Sequence, residues 1–184
     1  MQSGVTLIEM IITLAVLAVV LALSAPSAAR WVRQSEIRSS AESLRSVLQR
    51  ARIEAVSRNA RVRATLGDAE GRPQWRLACV RVNASCPAQM NQQAADSHDK
   101  IRWGAATASV SDLTVALDAG NLLPGSVDFF PLGDAPQVAS EIDIARMDVF
   151  FPDDPDAGRL VVRIDSGGNV SLCDSQPGAT GACP

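Results

Sequence analysis

Apolar residues fill almost every position from Val5 to Ala29, and Glu9 is the only charge in that run. At ~1.5 Å per residue, a helix over these positions reaches across a ~30 Å hydrocarbon layer. A lone carboxylate in such a helix costs at least ~2.5 kcal/mol in lipid, so it calls for a partner. Beyond Ala29 the pattern changes rather than stops. Ile37, Ala41, Leu44, Leu48, Ala51 and Ala55 recur at alternating steps of four and three, and Val47 widens the stripe. That spacing marks one face of a helix. Arg38, Glu42, Arg45, Gln49 and Arg52 take the opposite face. Ser39-Ser40-Ala41-Glu42 mimics a cap, but the periodicity runs straight through it. A single helix from about Val5 to Asn59 is predicted, ~80 Å long. Pro26, late in its apolar half, frees a backbone carbonyl and permits a kink.

After Asn59 the period drops to two. Val62, Ala64 and Leu66 alternate with Arg61, Arg63 and Thr65, as on a strand with one buried face. Residues 68–73 form a turn, and Gln74 to Val82 reads as a second strand with Trp75, Leu77 and Cys79 on one side. Residues 83–87 turn again, and Ala88 to Lys100 reads as a polar loop. Further strands are predicted at 101–103, 113–117, 127–131, 142–151, 160–165 and 170–173. The last two flank Ser166-Gly167-Gly168-Asn169, a hairpin signal. One long helix followed by many short strands implies an α+β fold with antiparallel pairing.

The 184 residues allow the apolar segment plus one domain of ordinary size. The formal net charge of −3 hides an asymmetry. From Arg30 to Arg63 nine arginines face only Glu36, Glu42 and Glu54, whereas from Ala64 onward eight basic residues face sixteen acidic ones. A basic stalk therefore carries an acidic head. Four cysteines allow three pairings. Nearness in sequence favours Cys79–Cys86 across a turn and Cys173–Cys183 at the carboxyl end, and disulfides point to an oxidising compartment. Spacings of seven and ten residues with one histidine are poor for zinc.

The opening Gly4-Val5-Thr6-Leu7-Ile8-Glu9 resembles the processing site of type IV pilins and pseudopilins, usually Gly-Phe-Thr-Leu-Ile-Glu before an apolar helix. Val5 replaces the usual Phe, and residues 1–4 carry none of the Lys or Arg common in such leaders. The resemblance implies a leader over 1–4, a transmembrane and assembly helix over 5–29, its amphipathic continuation over 30–60 and a β-rich head over 61–184. It implies that a prepilin peptidase cuts after Gly4 and methylates Val5. Glu9 would then meet the terminal ammonium of a neighbouring subunit. A proline at the place of Pro26 is common in this family. The segments Leu48–Ala55, Val127-Asp128-Phe129-Phe130-Pro131-Leu132-Gly133 and Gly168–Cys173, with Trp75, resemble the GspH/FimT group of minor pilins and pseudopilins. The expected function is a subunit of a type IV pilus, in its tip or priming complex, or of a type II secretion pseudopilus. Expected partners are other pilins, the peptidase and inner-membrane lipid, with the amino terminus cytoplasmic and the head periplasmic.

Rival readings find less support. A cleaved signal peptide ending near Ala25-Pro26-Ser27-Ala28-Ala29 would want a basic start, and this one has only Glu9. Arg30 and Arg33 would draw an ordinary anchor's far end to the cytoplasm, against the cysteines beyond them. His98 lies in a polar loop with no nucleophile motif, so no enzyme and no cofactor are expected. Asp153-Asp154-Pro155-Asp156 lacks the spacing of a calcium loop and reads as a turn. Some FimT-like proteins take part in DNA uptake, with a final hairpin of the form Gly-Arg-x-Arg. Here the matching place reads Gly168-Asn169-Val170-Ser171, and an acidic head repels a polyanion. The stalk arginines read as a solvated face or as contacts between subunits. DNA binding is not expected.

Overall fold

The computed structural model describes residues 6–69, 72–94, 100–107, 112–113, 115–136, 144–175, 178 and 181–183. Its first element is a continuous helix, α1 (Leu7–Arg58), of 52 residues. Thr6 caps it at the start, and Asn59 closes it in the left-handed region at φ 48°. Asn tolerates that conformation better than most residues, which is why the helix stops there. The sequence-derived stripe is the buried one: Ile37, Ala41, Leu44, Leu48, Ala51 and Ala55 are all 2% exposed or less.

Among the described residues eight strands follow: β1 (Val62–Ala69), β2 (Arg72–Cys79), β3 (Asn91–Ala94), β4 (Arg102–Ala106), β5 (Gly125–Phe129), β6 (Arg146–Phe150), β7 (Arg159–Ile164) and β8 (Val170–Asp174). They form two four-stranded sheets, in the orders β3-β2-β1-β5 and β4-β6-β7-β8. Every pairing of strands is antiparallel. Both sheets lie against the second half of α1. Val62, Ala64, Leu66, Trp75, Leu77, Trp103, Phe129, Met147 and Val149 join the helix stripe in one core.

Two expectations fail. Residues 88–100 are not wholly a loop, because Asn91–Ala94 pair with β2 from Leu77 to Gln74. An edge strand needs no apolar alternation when its ladder partner supplies the order. Leu113–Leu117 is not a strand among its described residues. Its backbone is engaged elsewhere: Arg146 and Arg159 donate to the carbonyls of Asp112, Leu113 and Val115, and the Leu117 N–H donates to Asp148. Several bounds shift as well: β1 and β2 run into residues 68–73, expected as a turn, and β2 stops at Cys79 rather than Val82. β4 runs on to Ala106, β5 covers Gly125–Phe129 in place of 127–131, and β6 takes only Arg146–Phe150 of the span 142–151. His98 and residues 142–143 lie outside the described residues.

Candidate functional site

The amino-terminal end of α1 is built around Thr6 and Glu9. The Thr6 Oγ1 accepts the Glu9 N–H at 3.4 Å, satisfying one of the orphan donors of the first turn. Threonine followed three residues later by glutamate is a helix-start signature, and it went unread beside the family resemblance. The Glu9 carboxylate also sits where the helix dipole favours negative charge. Around it every large apolar side chain from Leu7 to Leu23 is more than half exposed. So much contiguous apolar surface is not stable in water and requires lipid or other helices. The helix continues unbroken across position 26. Gly4 and Val5 lie outside the described residues.

The second half of α1 is tied to the head by its own arginines. Arg33 pairs with Asp154 beside the 3₁₀ turn Pro155–Ala157. The Arg52 Nε donates to the Gly133 carbonyl at 2.8 Å, and its Nη2 to the Gly167 carbonyl at 3.2 Å. Arg58 reaches the Ser85 carbonyl at 2.6 Å while pairing with Glu54 at 2.7 Å. The Trp103 Nε1 donates to the Ser40 Oγ at 3.3 Å across the core. Three arginines read as solvated or as subunit contacts are therefore internal ties. A helix-face arginine looks alike in sequence whether it meets water or a distant turn. Arg30, Arg45 and Arg50 differ in having no ionic partner among the described residues.

Inside the head two aspartates are ringed by guanidiniums. Asp128, 3% exposed, accepts from Arg63 at 2.7 Å through both oxygens and also pairs with Arg61. Arg61 in turn stacks over the Phe130 ring at 4.8 Å. Burial by itself would push the Asp128 carboxyl up, but the hydrogen bonds from Arg63 and Arg61 outweigh it and hold the carboxyl below its usual range. Asp148, fully buried, pairs with Arg146 at 2.8 Å and with Arg159. Sequence reasoning missed both clusters. The available signal was opposite charges two apart in an apolar strand, Arg146 and Asp148, which must share a face.

The structure pairs Cys79 with Cys86 and Cys173 with Cys183. The second bond holds the tail beside β8, where the Asp174 N–H donates to Gly181 and the Cys183 N–H to Asp174, both at 2.9 Å. The final hairpin turns at Gly168, φ 72°, and a Cβ there would lie 2.0 Å from the Gly133 carbonyl oxygen. That hairpin is thus packed on the Phe130–Gly133 turn. Among the described residues no group of metal-ligating side chains comes together.

The family model described as type II transport protein GspH matches residues 40–179, three-quarters of the chain. The chain belongs to the GspH family. The prokaryotic N-terminal methylation motif matches residues 1–25. A comparison with curated proteins gives no match. Among solved structures, the type IV minor pilin FimU of Pseudomonas aeruginosa is similar at 18% identity and a TM-score of 0.50, over 79% of this chain and 93% of that one. The minor pseudopilin EpsH, from the type 2 secretion system of Vibrio cholerae, is similar at 12% identity and a TM-score of 0.49, over 78% and 99%. This GspH-family chain thus joins an N-terminal methylation motif to a head of the type II transport protein GspH kind.

Proposed function

We propose that this chain is a minor pilin made as an inner-membrane precursor. A prepilin peptidase cuts it after Gly4, methylates Val5, and releases it into a type IV pilus near the tip, among other minor pilins. Its amino terminus starts on the cytoplasmic side and its head in the periplasm. The mechanism is assembly rather than turnover. The apolar half of α1 exchanges lipid for neighbouring helices, with Pro26 allowing a kink. Glu9 fixes axial register by pairing with the methylated ammonium of the next subunit.

The observation that supports this most is Glu9 itself: one carboxylate in the first turn of an apolar rod, with no ionic partner among the described residues. An isolated charge of that kind is costly in lipid, and a cation brought by a neighbouring subunit removes the cost. Glu9→Ala should leave the precursor processed and membrane-inserted at normal levels, yet absent from sheared filaments. Normal incorporation of that variant would overturn the role. A pseudopilin of a type II secretion system is the second reading, favoured by the description of the matching family. Loss of secreted enzymes without loss of surface pili in a deletion strain would select it. Direct DNA binding gains nothing from Gly168-Asn169-Val170-Ser171 or from the acidic head.

A further inference from the structure

Where the apolar half of α1 meets the head, an open cleft of about 380 Å³ lies between the helix and the turn after β6. Ala29, Val32 and the buried Phe151 give its lining an apolar part. The lining also holds Glu36 and Asp153, neither of which has an ionic partner among the described residues. Arg33 lines the cleft too, but its charge is taken by Asp154. Counting Arg33 and Lys100 against Glu36, Asp153 and Asp154, the lining carries one more negative than positive charge. The helix from Leu7 to Ala29 spans roughly 34 Å, slightly more than a hydrocarbon core. Ala29 and Val32 therefore fall at the boundary between lipid and water. Arg30 and Trp31, the latter 71% exposed, are residue types that settle at that boundary.

We infer that this cleft receives the headgroup of a bilayer phospholipid bearing a primary ammonium, of the ethanolamine type. The inference rests on the membrane-anchored reading above. The ammonium donates to Glu36 and Asp153, and the first carbons of the glycerol and acyl chains lie on Ala29, Val32 and Phe151. The phosphate stays at the mouth, in water. Three N–H donors meeting two carboxylates distinguish this headgroup from a choline, which has the charge but no donor. An anionic headgroup is disfavoured by the sign of the lining. The bound lipid fixes the depth and tilt of the head on the periplasmic leaflet before the subunit leaves the membrane.

The test uses the full chain in nanodiscs of equal phosphatidylethanolamine, phosphatidylcholine and phosphatidylglycerol. Native mass spectrometry then records which lipid stays bound on release. Retention of the ethanolamine lipid over the choline lipid by about tenfold is expected, the scale of one or two charge-assisted hydrogen bonds. Asp153→Asn, on an exposed turn, and the double variant Glu36→Gln/Asp153→Asn should reduce and then abolish that preference. Equal retention of the three lipids, preference for the glycerol lipid, or a preference unchanged in Asp153→Asn overturns the assignment. If the double variant melts early, the wild-type comparison and the single variant still decide. Failure of the chain to enter the discs contradicts the membrane-anchored reading instead.

Discussion

Arg63 of β1 stands directly across the ladder from Asp128 of β5, its Nε and Nη2 each 2.7 Å from a different carboxylate oxygen. The pair is bidentate, and Arg61 completes it from the same face two residues earlier. It joins the strand that leaves α1 to the strand that carries the Phe129–Gly133 turn. Since the Arg52 tie ends on Gly133, the helix, β1 and β5 form one braced unit.

Replacing Asp128 by Asn should lower the stability of the folded head by about 2–4 kcal/mol, because two guanidiniums, each about a third exposed, lose their anion. The pH dependence has a definite sign. The folded carboxyl titrates below its unfolded range, so its contribution is full above about pH 5 and is lost as pH falls through the unfolded and then the folded value. Thermal melts of the full chain in detergent from pH 7 to pH 3 should show an acid decline in the wild type. A shallower decline is expected in Asp128→Asn.

Arg52 and Arg45 offer a matched contrast on one helix. Arg52→Ala should destabilise the chain by about 1–3 kcal/mol through two orphaned turn carbonyls, whereas Arg45→Ala should fall within about 0.5 kcal/mol. Urea titrations of both variants in the same detergent check the difference. Equal effects would remove Arg52 from its bracing role.

Cys183→Ser should lower the melting temperature by about 5–10 °C, the result of losing roughly 2–3 kcal/mol from a closed loop of ten residues. It should also raise hydrogen exchange at the Asp174 and Cys183 amides, whose bonds that closure holds.

Gly168→Ala meets two obstacles at once. Its φ of 72° strains a side chain, and the added methyl would sit on the Gly133 carbonyl oxygen. A loss of about 2–4 kcal/mol in the same titration is expected.

The helix and much of the first sheet were legible because burial and period coincide there. Ile37 to Ala55 and Val62, Ala64 and Leu66 are apolar where the fold needs them to be. The strand β3 was not, since Asn91-Gln92-Gln93 carries no alternation and owes its shape to Leu77 through Gln74 alongside. Leu113–Leu117 misled in the opposite way: its alternation fits a strand, but two arginines far along the chain claim its carbonyls. Of the candidate site, Glu9 stood out because it breaks an apolar run. Thr6 as its cap and the arginine ties did not, because a tie is defined by where another segment lands and not by the residue itself.

The central claim is that this chain is processed for assembly, leaving a charged terminus beside Glu9. Mass spectrometry of the intact chain recovered from sheared filaments tests it most directly. The account predicts a polypeptide that begins at N-methylated Val5, four residues shorter than the sequence encodes. A chain that keeps Met1 to Gly4, or one that begins near Arg30, would contradict it.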